Sequence, residues 1–459
     1  MHLKSLLGVL VCPASHVLAD DYTAVVNLAS TRSATTHNTS AFIYGMPLNY
    51  DPNQIPDAYY SNIAIKFGRA GGAQLTDPCR GWTFGFNEYQ CRFNATMLNY
   101  KQTRKFGAQF IILPHDIWGI DFVNSTYNWP GDDADWTSYD DFLNQLISDL
   151  KANNALDGLI WDIWNEPDIG GFWGRPAQQW VDLYIRTHKR LRSDSALADV
   201  IISGPTLAES PDVASYWWST WAPQVAGNET WPDQYAWHYE AGVGSSDPDI
   251  SNALFETLLA TYGLPFRPVN INEYATADEQ TPSGYAFWIS RLERYSYAGC
   301  LGLWHAPLYD NFANLLTKYG NATDPTNINY TTAAGYPLYE YYVNSMTGLR
   351  ANTISSGDAL FDSFATIGTD GTVRVLAGSR AVTGNYTLQI QGLETVGYSA
   401  SGTLNAEYYA YYGSDDIFDT YGAAPYLGTQ SVPISDGVAD LNVYIPDRHT
   451  GWRIEFPVV

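Results

Sequence analysis

Short apolar runs recur from about residue 40 onward, separated by longer stretches in which apolar residues return every three or four positions. The runs lie at 41–44, 63–67, 109–113, 158–163, 200–203, 235–237, 268–271 and 302–304, and their length predicts buried strands. Between them, 139–150, 176–193, 250–262 and 284–297 carry the spacing of amphipathic helices. Strands alternating with helices give a parallel sheet, and eight of them predict an α/β fold, a (β/α)8 TIM barrel over residues 40–345. A doubly wound open sheet is the alternative, but no Gly-x-Gly-x-x-Gly follows the first run, and polar residues cluster just after many runs. In a barrel those positions converge on one mouth.

After about residue 345 the pattern changes to strict alternation broken by Gly, Asp and Ser turns, as at 372–376, 386–390 and 440–445. This predicts a separate antiparallel β-sandwich domain over 346–459. The N-terminal segment 20–39 is a candidate extra strand of that domain, carried by 22–33. Residues 1–19 read as a signal peptide: Lys4, an apolar stretch at 6–11, and Val17-Leu18-Ala19 before the cleavage point. A membrane anchor needs about 20 unbroken apolar residues, and Pro13, Ser15 and His16 interrupt this stretch. With no internal repeat and no long linker, the two domains are expected to pack rigidly.

Composition narrows the function. The chain has 459 residues and a formal net charge of −24, and removing Lys4 with the leader deepens the deficit. Nucleic acid and anionic membranes, which attract positive surfaces, are therefore excluded as partners. Asn-x-Ser/Thr sequons at Asn38, Asn94, Asn124, Asn228, Asn321, Asn329 and Asn385 predict a secreted, extracellular protein carrying N-linked glycans. Cys79 and Cys91 are close enough in sequence to predict a disulfide, and Cys300, in an apolar run, reads as a buried inert thiol.

Two of the apolar runs end on a glutamate. Leu159-Ile160-Trp161-Asp162-Ile163-Trp164 stops abruptly at Asn165-Glu166-Pro167, and 107 positions later the strand at 268–271 runs into Asn272-Glu273-Tyr274. A barrel would bring both carboxyls to its mouth, and a pair of carboxyls is what glycoside hydrolysis needs: one to protonate the leaving oxygen, one to attack or to activate water. The bland alternative is two structural carboxylates helping to cap barrel strands.

These motifs resemble the signature of the clan A glycoside hydrolases. The Trp-Asn-Glu-Pro and Asn-Glu-Tyr sequences, with a β-domain behind them, are most similar to family 39, and the resemblance covers the barrel. It implies a retaining double displacement in which Glu166 is the acid/base and Glu273 the nucleophile, acting on plant or microbial polysaccharides or their side chains. Xylose- or arabinose/galactose-containing glycans are the expected substrates. Asn165 is implied as a ligand of the hydroxyl beside the reacting carbon, and His238 is similar to the family's strand-6 histidine near the nucleophile. The family commonly has a tyrosine two places after that histidine. Here Tyr239 comes next and Glu240 takes the second place, so Tyr239 is a candidate partner of the nucleophile and the question stays open.

The residues add further expectations. Glu166 must arrive protonated, so an apolar wall and the Glu273 charge should raise its pKa. Arg69, at the end of the second strand, is the leading donor to Glu273. His115 is a candidate sugar ligand, or else a residue packed beside Pro114 and Trp118, and Trp304 is a candidate stacking platform. Asp162 reads as a buried support and Asp168 as a loop residue. The segment 77–99 reads as an inserted loop, braced by the disulfide, that walls one side of the mouth and favours attack on chain ends. No cofactor or metal is expected. A metal-dependent hydrolase using His115, His238 and His305 is a rival, as is a catalytically inactive carbohydrate-binding protein. Activity should follow a bell with an optimum at roughly pH 4 to 6.

Overall fold

The computed structural model describes residues 21–48, 54–73, 75–124, 126–242, 247–302, 310–320, 328–416 and 419–459. The first described strand, β1 (Thr23–Ala34), belongs to a sheet completed by the C-terminal part of the chain. Eight parallel strands then close a barrel: β2 (Ala41–Ile43), β3 (Phe67–Ala70), β4 (Gln109–Ile112), β5 (Leu159–Asp162), β6 (Ile201–Leu207), β7 (Gln234–Tyr239), β8 (Val269–Tyr274) and β9 (Ala298–Leu301). Pairing of Phe42 with Leu301 shuts the ring. No described helix is long and apolar enough to cross a membrane.

Side chains alternate along these short strands, and that alternation builds the site from the bottom. Phe67, Ile111, Ile160 and Cys300 form an apolar plug inside the barrel. Burial pushes the Cys300 thiol up to about 12. Two residues on from Phe67 stands Arg69, and two on from Ile160 stands Asp162, so the next inward layer is ionic. The intervening Trp161 faces outward into the large core shared with the helices. Those helices follow their apolar spacing, as in Thr137–Ala152, which buries Tyr139, Phe142, Leu143, Leu146, Ile147 and Leu150 on one face.

Three expectations are corrected. The second strand is not 63–67: Ile63 ends the short helix Asp57–Asn62, and pairing with β4 starts only at Phe67. The eighth strand starts earlier than 302, because its pairing with β8 begins at Ala298 and Gly299, whose small side chains gave no apolar run. The segment 77–99 is not a loop throughout; from Phe86 it belongs to the 20-residue helix Phe86–Lys105. That helix buries Arg92, Thr96, Asn99, Gln102 and Thr103 beside its aromatic residues, so its apolar periodicity is weak. The Cys79–Cys91 disulfide fastens the preceding turn onto the helix.

Past the barrel, a hairpin of β10 (Leu316–Gly320) and β11 (Ile328–Thr332) leads to the second domain. Its strands are β12 (Leu349–Ile354), β13 (Phe361–Ile367), β14 (Thr372–Ser379), β15 (Gly384–Gln391), β16 (Gly402–Tyr411), β17 (Tyr426–Ile434), β18 (Ala439–Ile445) and β19 (Gly451–Pro457). With β1 they form one nine-stranded sheet, ordered β17-β16-β19-β14-β13-β12-β1-β15-β18, that curls until its two edge strands approach each other. All neighbours are antiparallel except β1 and β15. The sheet wraps its own core of Val26, Phe361, Val375, Leu388, Leu441 and Ile454.

The domains meet along helix Pro282–Tyr295, the element that follows β8. Arg291 bonds Asp362 at 2.7 Å and the Ala359 carbonyl at 2.9 Å, and Arg294 also bonds Asp362. The Ser283 hydroxyl accepts from the Ser379 amide at 2.8 Å. The β-domain is thus bolted to the helix behind the strand that carries Glu273.

Candidate active site

Glu166 and Glu273 face each other across the mouth. One carboxylate oxygen from each, with a ring nitrogen of His238 and an oxygen of Glu240, all lie within 4.8 Å of one another. Glu166 stands just beyond β5 with φ +44°, the left-handed region that a side chain before proline rarely adopts. Its amide donates to the Thr206 carbonyl at 2.8 Å, which fixes the turn. Such backbone conformations cost about 1–3 kcal/mol and gather at functional sites. Asp168 holds the same loop from the other side, accepting from the amides of Ala208 and Glu209 at 2.9 Å each.

Arg69 is fully buried and organises the floor of the site. Its guanidinium donates to Glu273 at 2.5 Å, to Asp162 at 2.9 Å and to the Asn165 side-chain carbonyl at 2.5 Å. Burial pulls its pKa down, but the Asp162 and Glu273 carboxylates outweigh that and leave it raised. Asp162 also accepts from Thr206 at 2.8 Å and from the Asn272 amide at 2.9 Å, so it is a fully used internal support.

That last bond determines where a proton sits. A carboxylate accepts only, so Asn272 must turn its NH2 toward Asp162 and its carbonyl toward His238. His238 Nε2, 3.1 Å from that carbonyl, therefore carries hydrogen. The other ring nitrogen, Nδ1, lies 2.8 Å from Glu166. One proton is shared between them, either as imidazolium donating to carboxylate or as carboxylic acid donating to imidazole. Burial lowers the pKa of His238, but Glu273 and Glu166 raise it more, leaving it above its ordinary value. Burial raises that of Glu166, and the charge and hydrogen bond of His238 bring it net below the usual carboxyl value. The expected upward shift of Glu166 is thus reversed by His238, a neighbour in space that lies 72 positions away in sequence.

The remaining predicted residues divide. His115 is buried; its Nε2 lies 3.0 Å from Asp116 and its Nδ1 has no partner among the described residues. It packs against Trp164 and Phe172, which ties it to the acid loop. Tyr239 is not at the mouth: it points outward, where its hydroxyl bonds Ser251 at 2.5 Å and its ring stacks on Trp288. Alternation along β7 explains the correction, since His238 turns in and its neighbour must turn out. Trp304 and His305 lie outside the described residues. Of the aromatic residues near Glu166, Trp161, Trp164 and Trp173 are core, and Phe172 alone is half-buried.

Two residues at the centre of the site gave no signal of their own in the sequence. Asn272 fixes the His238 tautomer, and its only clue was its place one residue before Glu273. Glu240 brings a third carboxyl to within reach of the pair. Among the described residues neither of its oxygens has a hydrogen-bond donor, and both are shut off from solvent. Burial, reinforced by the Glu273 and Glu166 charges, pushes its pKa well above the usual carboxyl value.

No protein-family model matches the chain, and no curated protein matches it in sequence. Solved structures do share its fold. The structure of N2152 from Neocallimastix frontalis superposes with a TM-score of 0.72 at 19% identity, covering 95% of this chain and 100% of that one. A glucosidase from Croceicoccus marinus gives 0.57 at 12% identity, covering 95% and 99%. CelM2, a bifunctional glucanase-xylanase from a metagenome library, gives 0.56 at 14%, covering 96% and 100%. Each of these matches spans both the barrel and the β-domain.

Proposed function

We propose that this protein is a secreted retaining glycoside hydrolase of clan A, most like family 39, with Glu166 as acid/base and Glu273 as nucleophile. The observation that carries the reading is the approach of the two carboxyls to within 4.8 Å at the mouth. Direct attack requires carboxyls about 5–5.5 Å apart, whereas inversion leaves about 6.5–9.5 Å for a water. The neighbouring groups suit the two roles. Arg69 pairs with Glu273 and orients it, and the proton shared by His238 and Glu166 sits where a leaving oxygen would need it.

In the first step a Glu273 oxygen bonds the anomeric carbon, the glycosidic C–O bond breaks, and the shared proton passes through Glu166 to the departing oxygen. In the second, Glu166 takes a proton from water as the water oxygen displaces Glu273. Asn165, held by Arg69, is placed to bind the adjacent sugar hydroxyl. Four carboxyls lie on or around this floor, and its one guanidinium is already bonded to Glu273, Asp162 and Asn165. That arrangement repels uronic acids and favours neutral glycans, with xylose- or arabinose/galactose-containing chain ends first. The exposed positions of Asn94, Asn124, Asn228, Asn329 and Asn385 agree with N-glycosylation during secretion.

The spacing of Glu166, His238, Glu240 and Glu273 would also suit a cation. However, both ring nitrogens of His238 are engaged, and activity is expected to survive a chelator. The alkaline limb of the pH profile should fall where the His238–Glu166 pair loses its proton, above the ordinary imidazole value of about 6.5. The direct test is turnover of a panel of aryl glycosides, with the anomer of the first product read by NMR. Retention is expected; inversion, or equal turnover by Glu273→Ala, would sink the assignment.

A further inference from the structure

Glu240 is the one carboxyl at the mouth to which this mechanism gives no task. It follows β7 directly, two residues from His238, and comes within 4.8 Å of both catalytic glutamates. Its oxygens are sealed from water and no donor among the described residues reaches them. A carboxylate held so would be a third negative charge beside two others, with Arg69 and His238 the only cations among the described residues that face it and both already bonded elsewhere. Two carboxyls this close share a proton sooner than ionise together.

The placement is held from behind. Arg380 of the β-domain donates to the Gly242 carbonyl at 2.7 Å, two residues past Glu240. It is itself fixed by Glu279 at 2.6 Å and lies over the Trp288 ring. Tyr239 meanwhile is turned away into the helix layer, so no phenol from this segment reaches the nucleophile.

We propose that Glu240 is a positioning residue, kept as a neutral carboxylic acid whose O–H donates to the Glu273 carboxylate and aims it at the anomeric carbon. This rests on the glycosidase reading for its purpose but not for its chemistry. Glu240 keeps its proton through the whole cycle: the leaving oxygen is protonated from the His238–Glu166 pair, and Glu240 only holds the Glu273 oxygen that is not attacking. When Glu273 leaves the sugar, the same O–H stabilises the returning negative charge.

The test compares Glu240→Gln, Glu240→Ala and wild type by kcat, KM, pH profile and infrared difference spectra. A glutamine amide is a neutral donor of similar reach, so Glu240→Gln should keep kcat to within about threefold, while Glu240→Ala should lose about tenfold to a hundredfold in kcat with little change in KM. The wild-type spectrum at neutral pH should show a protonated-carboxyl band that disappears in Glu240→Gln and shifts in Glu273→Gln. If Glu240→Gln is as damaged as Glu240→Ala, or if the band is absent, Glu240 works as an anion and the proposal fails. Full kcat in a folded Glu240→Ala protein overturns it equally. A wild type that shows the shifting band but cleaves no glycoside would defeat the glycosidase reading and leave the proton where the structure assigns it.

Discussion

Two buried ionic clusters, one at the barrel mouth and one where helix Pro282–Tyr295 meets the β-domain, use the same side-chain types to opposite ends. At the junction Arg291, Arg294 and Arg380 face Asp247, Asp249, Asp362 and Glu279, and each carboxylate has a guanidinium nitrogen within 3.1 Å. At the mouth Asp162, Glu166, Glu240 and Glu273 share one guanidinium and one imidazole, and Glu240 pairs with neither. A saturated cluster fixes an orientation, because every displaced partner leaves a buried charge behind. An acid-rich cluster short of cations concentrates its protons on particular groups: Glu240 and His238 are both shifted up, while Glu166 yields to its histidine partner.

The contrast is tested most severely by removing one carboxyl from each cluster. Glu273→Ala should lower kcat by about 10⁴-fold or more while circular dichroism shows an intact fold. Glu166→Ala should lose most with poor leaving groups and recover with azide on an activated aryl glycoside, since a small anion attacks the glycosyl ester without a base. At the junction, Asp362→Ala takes one carboxylate from both Arg291 and Arg294, leaving them to share Asp249, and should cost about 3–5 kcal/mol in denaturant unfolding, with kcat per folded molecule unchanged. A stable Asp362→Ala protein with impaired turnover would reverse the division of labour drawn between the clusters.

The same contrast explains what could be read from the chain alone. Glu166 and Glu273 were legible because each ends an apolar run, and a strand that stops at a carboxyl in a barrel has one place to put it. Arg69 and Asp162 follow from counting two along a strand. The outward turn of Tyr239 and the inward turn of Glu240 follow from alternation once His238 is placed inward, but which residues of β7 and β8 face inward depends on register. The β7–β8 pairing slips between Ala236 and His238, and the β8–β9 pairing between Ile271 and Tyr274, so a simple two-residue count fails near His238 and Glu273. The pKa of Glu166 was misjudged for a related reason: an apolar wall can be inferred from neighbours in sequence, whereas a histidine from another strand cannot. Helix Phe86–Lys105 carries little apolar periodicity because polar side chains are buried along it.

The smallest expected effect sets one carboxyl from each cluster, Asp249 and Glu240, against the other by sign. For Asp249 burial raises the pKa, but Arg294 and Arg291 pull it far below the usual carboxyl range. A folded-state pKa that is depressed gives stability present above the unfolded value of about 3.9 and lost as pH falls through the folded one. Glu240 is shifted the other way. Its protonated form is favoured by folding, so its contribution is full below about pH 4.3 and drains away as pH rises toward the folded value. Thermal midpoints recorded from pH 3 to 8 should therefore diverge in opposite directions. Asp249→Asn should fall below wild type at neutral pH and approach it in acid. Glu240→Gln should match wild type near pH 4 and stand above it by about 1–3 °C at pH 8, because the amide has no proton to lose. Parallel curves for wild type and Glu240→Gln would mean that Glu240 ionises in the folded protein as it does in water.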